Sequence, residues 1–98
     1  MRILGVDPGP DQAAWAIVDI IGDKASVALW GTAKGAAIEV VESIKTQYKA
    51  HCCGLLAIED FAGRRAGFGI SAHGVATAKM VGALQMGFSD IIYPVVML

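Results

Sequence analysis

The stretch ILGVDPG, residues 3–9, joins a short apolar run to an acid and a turn. Pro8 and Pro10 end the run, because proline has no backbone N–H to donate to a neighbouring strand. Side chains alternate between the two faces of a strand, so Asp7 shares a face with Gly5 while Leu4 and Val6 share the other. The stretch predicts a strand over residues 2–7 that ends on a carboxylate beside a small residue.

A second run, GLLAIE at residues 54–59, repeats this arrangement. Glu59 ends the run and follows Ala57 on its own face. If the two strands are parallel neighbours, about 4.8 Å apart, both carboxylates leave the sheet at the same end. Two negative charges this close repel each other unless a cation lies between them, and carboxylate oxygens are ligands that suit Mg²⁺ or Mn²⁺. We therefore predict that Asp7 and Glu59 bind a metal ion; the alternative is two ordinary solvated acids at strand ends.

The hydrophobic pattern predicts five strands and two helices in one domain, residues 1–98, in the order βββαβαβ. The predicted strands cover residues 2–7, 13–21, 25–30, 54–59 and 91–98, and the helices cover residues 36–50 and 70–86. Crossovers between parallel strands are right-handed in about 98% of cases, which places both helices on one face. We expect an α/β fold with a mixed five-stranded sheet, whose bare face requires a missing C-terminal helix or a partner.

Each predicted helix has one apolar stripe. In the first helix the predicted stripe consists of Ile38, Val41, Ile44 and Tyr48, and in the second of Ile70, Thr77, Val81, Leu84 and Phe88. A line of small residues, Gly74, Ala78 and Gly82, recurs every fourth position of the second helix. Small residues at this spacing predict close packing against another backbone, either in the sheet or in a second copy of the chain across a dimer axis.

Composition excludes several classes of protein. Of the 98 residues, 55% are hydrophobic, the net charge is −1, and no apolar run approaches the roughly 20 residues of a membrane helix. A near-neutral chain has no broad basic face for nucleic acid, so any DNA contact must use local charge. Cys52 and Cys53 are adjacent, which fits neither a zinc site nor a secreted disulfide framework. We expect a cytoplasmic protein with reduced thiols.

Two stretches carry a resemblance to a known family. Residues 3–9, followed by Trp15-Ala16-Ile17-Val18, resemble the opening of the RuvC family of Holliday junction resolvases, which are nucleases with an RNase H-like fold. Residues 57–61, AIEDF, and the Gly- and Ala-rich helix that follows resemble the second acidic strand of that family and the helix behind it. The resemblance covers the whole chain and about the N-terminal two-thirds of the family's domain.

The resemblance implies a structure-selective endonuclease of DNA recombination and repair that cleaves branched DNA with Mg²⁺. Asp7 and Glu59 would be catalytic acids that bind the metal, and family members act as homodimers. They complete the acidic cluster on a helix after the fifth strand, which this sequence does not contain. We therefore expect a C-terminally truncated domain that cleaves poorly alone. The turn after Asp7 also lacks the Thr-Gly pair usual in the family.

Four further residues are candidate DNA ligands. Phe61 follows the second acidic strand, where the resemblance implies an aromatic residue that stacks on unpaired bases, although core filling is an alternative. Arg64 and Arg65 could hold phosphates beside the scissile one, or could be solvated in a loop. Lys79 could face DNA from the second helix, or could be an ordinary exposed lysine.

The sequence is compatible with two other functions. Actin-like and sugar-kinase-type ATPases share this strand order and also begin with an aspartate-glycine turn, but the hydroxyl residues expected in that turn are absent. From another class, the chain could be a non-catalytic remnant that binds branched DNA or a protein.

Overall fold

The computed structural model of this chain describes residues 1–59, 72–89 and 95–97. Its elements are β1 (Arg2–Pro8), β2 (Gln12–Ile21), β3 (Lys24–Lys34), α1 (Ala37–Ala50), β4 (Leu55–Ile58), α2 (Ala72–Gly87) and β5 (Val95–Met97). The predicted α/β architecture, a mixed sheet with two helices, is confirmed.

The sheet has β1 at its centre, in the order β3-β2-β1-β4-β5. β2 runs antiparallel to β1 and to β3. β4 runs parallel to β1, and β5 runs parallel to β4. β3, β4 and β5 are therefore parallel to β1.

Both helices pack on the same face of the sheet, here called the helical face. Leu4 and Val6 of β1 and Leu56 and Ile58 of β4 are buried beneath them. The helices add Val40, Val41, Ile44, Tyr48, Met80, Val81, Leu84 and Phe88 to this single core. The other face, called the open face, carries Ile3, Gly5 and Asp7 of β1, and no helix among the described residues packs on it. No helix in those residues is long and apolar enough to cross a membrane.

The apolar stripe of α1 is shifted relative to the prediction. Ile38 is 72% exposed, whereas Val40 is fully buried beside Val41, Ile44 and Tyr48. An α-helix makes one turn every 3.6 residues, so two residues two positions apart lie on nearly opposite sides. With Val40 buried, Ile38 therefore lies on the solvent side of the first turn. The prediction for Ile38 is wrong, and the predicted stripe of α2 is confirmed from Thr77 to Phe88. Ile70 lies outside the described residues.

Close packing between the two helices occurs at Gly87, outside the predicted line of small residues. A Cβ atom added to Gly82 would meet nothing within 4 Å. A Cβ atom added to Gly87 would collide with Cγ1 of Val41 on α1. The small size of Gly87 therefore sets the approach of α2 to α1. The expected close packing of Gly82 on the sheet of this chain is wrong, and its packing against a second copy stays a prediction.

The third strand is longer than predicted because a tryptophan covers its glycine. Gly31 lies within β3, opposite Trp15 of β2. A Cβ atom at Gly31 would lie 2.7 Å from Cζ2 of Trp15, so the indole ring occupies the place of a side chain. An aromatic residue opposite a strand glycine offsets the usual weakness of glycine in a sheet. The strand consequently continues to Lys34.

A β-bulge interrupts the pairing of β2 with β3. Val18 pairs with Val27, but the preceding residue Ile17 pairs with Leu29, so Ala28 is the extra residue. An extra residue shifts the alternation of all later side chains by one. After the bulge, Trp30 pairs with Ala16 and shares the open face with it.

Glycines and one carboxylate shape the two ends of β3. Gly22 has φ +63° in the hairpin before it, and Gly35 has φ +127° in the turn after it. These values lie in the region that favours glycine. The carboxylate of Glu39 then accepts a hydrogen bond from the backbone N–H of Ala36 at 3.2 Å, which stabilises the beginning of α1.

The start of β1 is fixed by a charged network. Nε of Arg2 donates to Oδ1 of Asp19 at 2.7 Å, and Nη1 donates to the backbone oxygen of His51 at 3.1 Å. The hydrogen bond and the charge of Asp19 raise the pKa of Arg2. Burial raises the pKa of the nearby Cys53 thiol, which favours its neutral form.

The two helix glycines give opposite predictions for stability. Gly82→Ala is expected to stabilise the protein by about 0.5–1 kcal/mol, because alanine favours a helix and the added methyl group meets no atom. Gly87→Ala is expected to destabilise it by about 1–3 kcal/mol through the collision with Val41. Urea unfolding of both variants measures the difference. Equal effects would contradict this account of the α1–α2 contact.

Candidate metal centre

The pairing of β1 with β4 brings the two predicted acids together. Gly5 pairs with Ala57 and Val6 with Ile58. The backbone N–H of Glu59 then donates to the carbonyl oxygen of Val6 at 3.0 Å, which carries the parallel pairing one residue past β4. Glu59 therefore lies beside Asp7, on strands separated by about 4.8 Å.

Both carboxylates line a trough on the open face, with a volume of about 390 Å³. It is lined by Gly5, Val6, Asp7, Ala14, Trp15, Ala16, Ala57 and Glu59. The open-face residues between and beside the acids are glycine or alanine, so no large side chain separates a ligand from the sheet. The trough is thus shallow, mostly apolar, and acidic at one end.

The donor set fits a hard divalent cation. Mg²⁺ is commonly held by one or two carboxylates and completes its shell with waters and substrate phosphates. Asp7 is exposed and Glu59 is half-buried, so ligands from outside the protein can approach Asp7. Within residues 1–59, 72–89 and 95–97 no three His, Cys, Asp or Glu side chains converge on one point. Asp11 is exposed in the turn after β1 and does not line the trough.

Comparison with solved structures places this geometry in a known fold. No protein-family model and no curated protein matches the chain. The structure of Thermus thermophilus RuvC does match, with a TM-score of 0.72 and 18% identity over 100% of this chain and 63% of that protein. The same protein in complex with a Holliday junction substrate gives a TM-score of 0.71.

This chain has a RuvC-like fold.

A viral resolvase shows the same RuvC-like fold. The fowlpox virus Holliday junction resolvase matches with a TM-score of 0.69 and 15% identity, over 100% of this chain and 60% of that protein. An exopolyphosphatase from Cytophaga hutchinsonii is less similar, with a TM-score of 0.58 and 12% identity, over 100% of this chain and 34% of the enzyme. The chain spans about three-fifths of the length of these resolvases.

The other predicted site residues are not brought to the acids by the described part of this RuvC-like fold. Phe61, Arg64 and Arg65 lie outside the described residues. Lys79 is exposed on α2, which packs on the helical face, whereas Asp7 and Glu59 lie on the open face. The DNA-binding roles of these four residues stay predictions.

Sequence reasoning missed a set of residues on β3. Trp30, Thr32 and Lys34 alternate along the strand and lie on the open face, where Trp30 pairs with Ala16 and Thr32 with Ala14. All three are exposed. The predicted strand ended at Trp30, and strict alternation from the hairpin would have placed Trp30 on the helical face. Only the bulge at Ala28 reverses that assignment.

The adjacent carboxylates predict a measurable repulsion in the absence of metal. Like charges on directly opposite strand positions destabilise a sheet by about 0.2–1 kcal/mol. Asp7→Asn is therefore expected to stabilise the protein by that amount in EDTA, as measured by urea unfolding. Asp23→Asn, in the exposed β2–β3 turn, makes the same charge change away from Glu59 and is expected to have no effect. Equal stabilisation by both substitutions would contradict the pairing of Asp7 with Glu59.

Proposed function

We propose that the chain is a metal-dependent nuclease domain that acts on branched DNA such as a Holliday junction. The observation that carries the proposal is the pairing of Asp7 with Glu59 at the end of parallel strands in a RuvC-like fold. Two of the similar proteins are resolvases, and both have been solved with Holliday junction DNA. The exopolyphosphatase is less similar to the chain than the resolvases are, so it gives weaker support, and only for hydrolysis at a phosphate group in general.

Asp7 and Glu59 would hold the metal ion, which is Mg²⁺ or Mn²⁺ in this proposal. Bound there, such an ion supplies charge neutralisation at the scissile phosphate and lowers the pKa of a coordinated water. The exposed carboxylate of Asp7 faces the substrate side, and the half-buried carboxylate of Glu59 anchors the site against β4. Gly5 and Ala57 leave the space in which a phosphate group can reach both acids.

The two acids form only part of the cluster that the family resemblance implies. One or two carboxylates hold Mg²⁺ weakly until substrate oxygens complete the coordination. Two-metal hydrolysis, with ions about 3.5–4 Å apart, needs more acidic ligands than Asp7 and Glu59 provide. We therefore expect the 98-residue chain to bind a junction with the help of metal and to cleave it slowly.

The remaining contacts are part of the same proposal. Phe61 would stack on an unpaired base, and Arg64 and Arg65 would hold phosphates on either side of the scissile one. Lys79 would contact DNA outside the trough. A homodimer would match the two-fold symmetry of a junction. A cytoplasmic location would keep the free thiols of Cys52 and Cys53 reduced.

The test measures affinity for an immobile four-way junction and for a linear duplex of matched sequence. We expect the wild-type chain to prefer the junction and to bind it at least several-fold more tightly when Ca²⁺ replaces EDTA. Asp7→Asn and Glu59→Gln should remove the Ca²⁺ effect, because the coordinating charge is lost. Asp23→Asn should retain the effect. In Mg²⁺, cleavage should be slow and abolished by Asp7→Asn.

The alternative outcomes separate the candidate functions. A junction preference that ignores both metal and Asp7→Asn would favour the non-catalytic, branched-DNA-binding remnant. Fast cleavage that Asp7→Asn abolishes would support the nuclease and refute the incomplete cluster. The absence of both junction preference and metal effect would reject the proposed function.

A further inference from the structure

The open face extends from the acidic trough to the edge strand β3. The register places Trp30 beside Ala16, which in turn lies beside Gly5. One step along the strands, Thr32 lies beside Ala14 and Ala14 beside Asp7. Two strand spacings, about 9.6 Å, therefore separate the backbone of β3 from that of β1. The sheet surface between Trp30 and the acids, here called the small-residue floor, consists of Gly5, Ala14 and Ala16.

Trp30 stands at the far side of this floor and is exposed to an unusual degree. Its side chain is 73% exposed, whereas large aromatic residues are highly buried on average. The second tryptophan, Trp15, points to the helical face and packs against the core. An exposed indole beside a flat floor offers a ring face to which a planar ligand can bind.

The residues that follow Trp30 on the same face are polar. Thr32 is exposed, and Lys34, opposite Gln12, is exposed at the end of the strand nearest Asp7. Alternate residues of a strand lie about 6.8 Å apart, which is about the length of one extended nucleotide. β3 thus presents an aromatic ring, a hydroxyl group and an ammonium group in a line. Trp30 and Lys34 are two such intervals apart, about 13.6 Å, so a base on the ring and a phosphate at the ammonium group would lie about two nucleotides apart along one strand.

We propose that Trp30 and Lys34 form a subsite for a short unpaired segment of the DNA strand. Trp30 stacks on the base, Lys34 contacts a backbone phosphate, and the small-residue floor lets the same strand continue to Asp7 and Glu59. This subsite deepens the proposed function and rests on it for the identity of the substrate. It predicts that the strand to be cut is locally unpaired within a few nucleotides of the scissile phosphate.

The first experiment uses tryptophan fluorescence, with oligo(dT) as the probe in EDTA. The chain has two tryptophans, so Trp15→Phe leaves Trp30 as the only reporter. Stacking of a base on Trp30 is expected to quench its emission in proportion to the bound oligonucleotide. Emission unchanged at saturating oligo(dT), with binding shown independently by anisotropy of a labelled probe, would overturn the subsite.

The second experiment measures oligo(dT) affinity of substituted chains, also in EDTA. Trp30→Ala is expected to weaken binding by about 5- to 150-fold, the range found when a stacking aromatic is removed. Trp30→Phe keeps a ring and should retain most of the affinity. Lys34→Ala should weaken binding less and should reduce the salt dependence by about one phosphate contact. Val27→Ala is the matched control, because Val27 is on the same strand and face and is 56% exposed.

These results can be separated from those that test the metal site. EDTA removes the contribution that a metal ion at Asp7 and Glu59 would make, so Asp7→Asn should not weaken oligo(dT) binding. If Trp30→Ala loses oligo(dT) binding while the wild-type chain shows neither a Ca²⁺ effect nor cleavage of the junction, the subsite is supported and the nuclease is rejected. Unchanged binding in Trp30→Ala would reject the subsite, and the metal-dependent junction test would still stand. A lower sedimentation mass for Trp30→Ala with unchanged binding would show that the patch pairs two copies of the chain instead.

Discussion

The parallel pairing of β1 with β4 is the constraint on which the rest of the molecule depends. Burial of Leu4 and Val6, together with Leu56 and Ile58, fixes its register, since a slip of one residue would move these side chains out of the core. The same register places Asp7 next to Glu59. The energy that holds the two acids together thus comes from the apolar side of the strands, and no attraction between the acids is needed.

The two faces of the sheet therefore differ: one stabilises the fold and the other is exposed. The helical face holds the single core, to which both helices contribute, and close contact at Gly87 fixes one helix against the other. The open face carries the trough and the exposed groups of β3. Substitutions on the open face can change binding at little cost to folding, because few of its side chains belong to the core. This separation allows charges that repel each other to be kept at the end of a stable strand pair.

The sequence predicted a mixed sheet with two helices, and it predicted Asp7 and Glu59 at the ends of two strands, because each depends on local alternation and on short apolar runs. The errors arose where a distant residue decides the outcome. Ile38 was assigned to the core by its spacing, but α1 turns Val40 inward. β3 was ended too early, since the indole of Trp15 that covers Gly31 is invisible in the β3 sequence. Close packing within the chain was expected along the line that includes Gly82, whereas the contact between the helices occurs at Gly87. The predictions for Phe61, Arg64 and Arg65 concern residues outside the described ones.

The bulge at Ala28 has a consequence for how this protein can change over generations. Counted from the hairpin, removal of that one residue would bring Leu29 directly after Val27 and leave Trp30 opposite Ala16, so the later side chains of β3 would keep their faces. A codon deletion there would remove only the local irregularity, whereas a one-residue change of length within the regular part of β3 would move the side chains beyond it to the opposite face. The bulge is accordingly the position of this edge strand at which the loss of one residue is best tolerated.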